Sequence, residues 1–203
     1  VTTDGDRELA ESSVEELAGW VWALRDELQP SLTTVEEAMR YSMEESTGLV
    51  ILADGSDNPG GGAPCDGTVA LSAMIAADFQ GGVVGVLYGP ETAARAHQLG
   101  EGAQAEFRIG GKTDSCHGDT VVVSARVGCL GDGRFEFGGP MKRGCPGQLG
   151  PMAVLEVGGV EVVVASRRMQ LLDTEMLRIV GIDPSTKRLL VVKSAVHFRA
   201  DVG

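Results

Sequence analysis

The sequence predicts an α/β protein: a mixed sheet with a βαβα start, antiparallel strands in the middle, and an acidic helical arm in front. Three observations carry that expectation. Apolar residues recur at three- and four-residue steps as far as residue 45, β-branched runs alternate with helical stretches from 48 to 99, and strand-like runs follow one another from 104 to 166. The length of 203 residues, with 43% hydrophobic and 23% charged, suits one domain with a proper core or two small ones. The 29 glycines are about twice the usual share of roughly 7% and show no fixed period, so they mark turns and close backbone approaches.

The first helix is expected over 6–29. Leu9, Val14, Leu17, Trp20, Val21, Leu24 and Leu28 supply its apolar positions, acids occupy its first turn where the helix dipole favours them, and Pro30 ends it. Thr34 followed three residues later by Glu37 fits a capping box for a second helix over 35–45. Residues 1–45 hold twelve acids and three arginines, a local charge of -9 out of the chain's -12, and a solvated helix face is the plain account of it. Adjacent positions of that helix point about 100° apart, so Trp20 and Trp22, two positions apart, can both be buried only with cover on two sides, as at a partner surface.

The body opens near Gly48. Strand 49–53, a glycine-rich loop, helix 67–79, strand 82–88 and helix 90–99 imply a parallel pair with helical crossovers. Strands 104–109, 119–128, 133–137, 152–157 and 160–166 follow, the last two joined by Gly158-Gly159, a two-residue hairpin signal. Segment 138–150 lacks periodicity and reads as a crossing loop. A short helix 173–180 and an apolar strand 188–192 return to the α/β style. The start at Val1 rather than Met points to a piece of something longer.

Several chemistries are disfavoured at once. A pI near 4.6 with only 17 Lys and Arg argues against nucleic acid and against an anionic membrane surface. No apolar run is long enough to span a bilayer and no signal peptide is present, so a cytoplasmic location is expected. Cys65, Cys116, Cys129 and Cys145 include no CxxC pair, and His97, His117 and His197 form no HxH or HExxH, so free thiols and no metal set are expected. His97 reads as a helix-end residue and Cys116-His117 as an exposed hairpin tip. There is no GxSxG, and Asp66 opposes a thiolate at Cys65.

The loop LADGSDNPGGGAPCDGT, residues 52–68, stands out. It has Walker-like spacing at Gly62 and Gly67-Thr68 without the lysine, and Asp54, Asp57 and Asp66 would repel phosphate. Capping of the following helix by Asp66 or Thr68 accounts for part of it. Asp57-Asn58-Pro59 remains, a rigid polar tripeptide at a strand's carboxyl end, where open α/β sheets present residues to ligands. Lys193, Ser194, His197 and Arg199 form a second polar group at such an end, and Arg167-Arg168 could recognise a carboxylate or simply face water.

Asp57-Asn58-Pro59-Gly60-Gly61-Gly62 with Asp66-Gly67-Thr68, Gly110-Gly111-Lys112, Gly139-Pro140-Met141, Leu149-Gly150-Pro151, Val157-Gly158-Gly159-Val160, Ser166-Arg167-Arg168, and Lys193-Ser194 with His197-Phe198-Arg199 resemble the C-terminal domain of MlrC-type proteins, the microcystinase C family of metallopeptidases. The resemblance runs from about Gly48 to the end. It implies residues 1–47 as a helical connector from a preceding domain and 48–203 as the MlrC-type domain. It further implies a two-domain hydrolase whose zinc ligands belong to an N-terminal metal-binding domain, with no catalytic or metal-binding residue in this chain. The C-terminal domain is then implied to close over the cleft and hold a small linearised peptide. Asp57, Asn58, Pro59, Asp66, Ser194 and His197 are the substrate-binding residues so implied, and the chain alone is expected to show no peptidase activity. Two departures from the family pattern are Cys65, where Gly or Ser is expected, and Cys116-His117 in a variable turn. Two other readings stand beside this one. One is a non-catalytic module binding small anions or carboxylates through the helix N-terminus and Arg167, Arg168 or Lys193. The other is a structural interaction domain built on Trp20, Trp22 and the acidic arm.

Overall fold

The computed structural model describes residues 1–45 and 47–202, which divide into two compact units, Val1–Thr34 and the remainder from Val35. The first unit is built on α1 (Arg7–Ala23), capped by Asp6, whose carboxylate accepts the Leu9 N–H at 2.9 Å. The helix stops earlier than its apolar spacing suggests, with turns over 24–28 ahead of Pro30. No residue of α1 is buried; Trp20 and Trp22 are 60% and 71% exposed.

The second unit starts with α2 (Val35–Glu44), which packs on α3 (Val69–Ala76) and buries Met39 in the same cluster as Leu71 and Met74. Its strands are β1 (Val50–Ala53), β2 (Gly82–Tyr88), β3 (Gln104–Ile109), β4 (Val121–Gly131), β5 (Arg134–Glu136), β6 (Pro146–Gln148), β7 (Met152–Val157), β8 (Val160–Ala165) and β9 (Leu189–Val192), with α4 (Pro90–Leu99) and the single-turn α5 (Glu175–Arg178) between them. Seven strands form one mixed sheet in the order β1-β9-β2-β8-β7-β4-β3. The β1, β9, β2 and β8 half is parallel and the β8-β7-β4-β3 ladder is antiparallel. The expected crossover through α3 is present, but β1 and β2 are not neighbours: Leu189 pairs with Val50 on one side and Gly82 on the other. β9 takes the place between them because Leu189, Leu190, Val191 and Val192 are apolar on both faces, as a central parallel strand must be.

The hairpin at Gly158-Gly159 joins β7 to β8 with Val157 opposite Val160, and Gly158 takes φ +58° there. Segment 138–150 is not wholly irregular, since β6 pairs with β5 in a separate two-stranded sheet. Three residues are too few to show a period. Gly147 lies so close to the Phe135 ring that any side chain there would collide with it. Consecutive β2 residues serve opposite faces: Val84 and Leu87 join the cluster containing Leu71, Met74 and Phe107, while Val83 and Val86 join Leu149, Leu171 and Leu177. Among the described residues no helix is long and apolar enough to cross a membrane.

Candidate functional site

Because β1, β8 and β9 run parallel, the connections that follow them, 54–68, 166–172 and 193–198, leave the same edge of the sheet. That edge is where an open α/β sheet receives a ligand.

The first connection is held from inside. Asp57 is fully buried, and its carboxylate accepts N–H groups from Cys65 at 2.5 Å and Gly67 at 2.6 Å. Lys193, 1% exposed, lies 3.1 Å from the same carboxylate and donates to Asp54 at 2.8 Å and to the Gly67 carbonyl at 2.6 Å. Two hydrogen bonds and an ion pair thus gather around one ammonium, so the loop closes on one buried cation. Burial alone would push the Asp54 carboxyl up; the Lys193 charge and hydrogen bonds from Lys193, Ser56 and the Asp57 N–H outweigh it and hold it below the ordinary carboxylate range. At Gly67 a Cβ would sit 2.8 Å from the Asp57 carboxylate and 3.0 Å from the His117 Cβ, which explains the glycine. Lys193 is thus a structural tie, and the reading that gave it to a bound anion is corrected.

Asn58 accepts the Gly60 N–H at 2.9 Å and caps a 3-10 turn over Pro59–Gly61. Asn58 and Pro59 are half-buried, while Gly60, Gly61 and Gly62 are exposed at the apex. Asp66 is buried and does not cap α3. One of its oxygens accepts the Lys112 N–H at 3.0 Å, the Thr113 N–H at 3.1 Å and the Thr113 hydroxyl at 2.9 Å, tying down the Gly110-Gly111-Lys112 turn. Thr68 also leaves the helix uncapped by its side chain, donating instead to the Asp119 carbonyl at 2.6 Å. The capping expectation fails for both because their side chains bond instead to the adjoining loops, Asp66 to Lys112 and Thr113 and Thr68 to Asp119.

Cys65 adopts φ +64°, the left-handed region that favours glycine, so it keeps the backbone a Gly would take at that point. Burial, followed by the Asp57 charge, pushes its thiol up to about 12, which removes it as a nucleophile.

His117 is more than a hairpin tip. Its Nδ1 lies 2.9 Å from an Asp114 oxygen and its Nε2 lies 3.1 Å from the Ser56 carbonyl, while its own carbonyl accepts the Thr68 N–H at 2.8 Å. Both ring partners are acceptors, so the bridge to the glycine-rich loop is complete only in the imidazolium. The Asp114 hydrogen bond raises the His117 pKa, and the same bond lowers that of Asp114. A raised folded-state value means that the stabilisation is fully present below the ordinary histidine value of roughly 6.5 and is lost as pH rises through the folded value. The thermal midpoint is therefore expected to fall as pH rises above that point. A His117→Gln variant should lose that step, and an unchanged pH profile in the variant would refute it.

The second and third connections meet through Gln170. Its Nε2 donates to the Ser194 hydroxyl at 2.8 Å and lies 3.0 Å from His197 Nδ1, and a side chain at Gly60 would run into its amide. Ser194 is buried and His197 is exposed. Gln170 therefore joins the glycine-rich loop to the strand-end group. It lies in an aperiodic stretch without a motif; its one signal is its place five residues beyond the end of β8. Arg168 donates to the Pro64 carbonyl at 2.6 Å and stacks 4.2 Å over the Tyr88 ring, bracing the same loop. His97 faces the Met152 carbonyl at 2.9 Å.

Among the described residues no three His, Cys, Asp or Glu side chains converge as a metal site. The acids of the loop are engaged by Lys193 and by backbone N–H groups, so this arrangement does not fit zinc.

A family model described as the MlrC C-terminus matches residues 52–203. Microcystinase C from Sphingomonas sp is 30% identical over 154 residues, covering 76% of this chain and 30% of that protein. The crystal structure of a candidate metallopeptidase from Mesorhizobium sp. BNC1 matches with a TM-score of 0.80 at 25% identity, covering 91% of this chain and 37% of that one. The chain thus spans well under half the length of these relatives.

Proposed function

Since the chain belongs to the MlrC C-terminus family and is a peptidase-related domain, we propose that it grips small peptides and closes over the cleft of a zinc-dependent peptidase or amidohydrolase. The zinc ligands lie, on this reading, in a preceding domain of the parent protein. Asn58, Pro59 and His197 face the peptide, while buried Asp57, Asp66 and Ser194 serve by holding the segments that present them.

The observation that carries this reading is at the loop apex. Gly61 has an ordinary φ, and a Cβ there would meet nothing within 4 Å, so neither backbone conformation nor packing within the chain calls for glycine. Close approach of an outside molecule does. The turn is rigid from within and bare on its outer side, beside Gln170 and His197.

The test is Gly61→Val in the parent protein, with turnover of small linear peptides followed. Stability should change by no more than about 0.5 kcal/mol, as for an ordinary surface site. KM should rise at least about tenfold, equivalent to roughly 1.4 kcal/mol. The 203-residue chain alone should not hydrolyse these peptides. An unchanged KM, or turnover by the isolated chain, would overturn the proposal.

A further inference from the structure

We propose that Gln170 is a positioning residue that fixes the tautomer of His197, so that the ring presents Nε2–H as a donor for an acceptor oxygen of the bound molecule, a peptide carbonyl or carboxylate. The substrate class rests on the function proposed above; the proton assignment rests on the geometry alone.

The argument is one of donors and acceptors. A glutamine amide nitrogen carries two hydrogens and accepts none. In this site Gln170 Nε2 has two neighbours within hydrogen-bonding distance, the Ser194 hydroxyl at 2.8 Å and His197 Nδ1 at 3.0 Å. One hydrogen serves each. A ring nitrogen that receives an amide proton is itself unprotonated, so the neutral imidazole carries its hydrogen on Nε2. The opposite arrangement would set two N–H groups against each other. The other end of the amide, Oε1, is turned towards Gly60, where any side chain would run into it. The glycine therefore leaves the room that this amide occupies.

His197 sits on a 3-10 turn, His197–Ala200, whose Phe198 is buried in the core, so the ring's base is anchored while the ring itself is exposed. Ser194, buried beneath it, is the other fixed point of the amide. An exposed donor with an enforced tautomer suits a carbonyl or carboxylate oxygen and rejects a group that can only donate. It also explains why a residue without charge or motif occupies the centre of this edge.

The experiment is long-range proton–nitrogen correlation NMR on the histidine-labelled chain at alkaline pH. The His197 signals are identified by their loss in His197→Gln. The expected result is an unprotonated Nδ1 and a protonated Nε2 for His197. In Gln170→Glu, a near-isosteric change that supplies an acceptor, the proton should move to Nδ1. A wild-type proton on Nδ1 would mean that the amide faces the other way and would overturn the inference, as would an unchanged tautomer in Gln170→Glu. No peptide enters the measurement, so its failure is separable from a failure of peptide binding.

Discussion

Replacing Lys193 with methionine is expected to destabilise the second unit by about 3–5 kcal/mol, the usual result of removing one partner from a buried ion pair. The side chain is 1% exposed and Asp57 is fully buried, so neither charge gains from water what it loses from its partner. Methionine fills a similar volume, which leaves the loss of charge as the main change. Asp57 would keep its two N–H donors from Cys65 and Gly67 but would carry an uncompensated charge beneath the loop. Denaturant unfolding of the two proteins checks the figure. Adding Asp57→Asn to Lys193→Met should recover part of the loss, since the second change removes the stranded charge. A loss below about 1 kcal/mol would show that the pair is not what closes the loop.

Asp66→Ala should cost about 2–4 kcal/mol, because one carboxylate oxygen serves three donors and hydrogen bonds to charged groups are each worth roughly 1.5–3 kcal/mol before overlap. The effect should be local in its dynamics. Amide exchange at Lys112 and Thr113 is expected to accelerate well before that of Leu190 and Val191 in the buried strand β9. Equal acceleration at both places would mean that Asp66 supports the whole unit rather than this turn.

The parts of the fold that were legible in the sequence are those with a period or a fixed turn chemistry. Val83 to Leu87 and Leu189 to Val192 are apolar on both faces, and Gly158-Gly159 demands a tight hairpin, so these elements fall where the pattern puts them. The neighbours of a parallel strand are not encoded in its own residues, which is why β9 between β1 and β2 could not be anticipated from either. At the site, Asp57-Asn58-Pro59 marked the loop through local chemistry. Its internal support came from Lys193, far along the chain, and no local pattern announces an ion pair of that kind. Gln170 and His117 escaped for the same reason: each acts by reaching a residue more than twenty positions away.

The place of β9 also bears on how the protein is made. Val50 and Gly82 both pair with Leu189, so β1 and β2 leave the ribosome with open edges and wait for the final strand to join them. At synthesis rates of roughly 5–20 residues per second that interval lasts several seconds, with unpaired apolar strands exposed to other nascent chains. A chain cut short ahead of Leu189 would lose the seam of the parallel half together with Lys193, and so would be prone to aggregate rather than to persist as a smaller folded form.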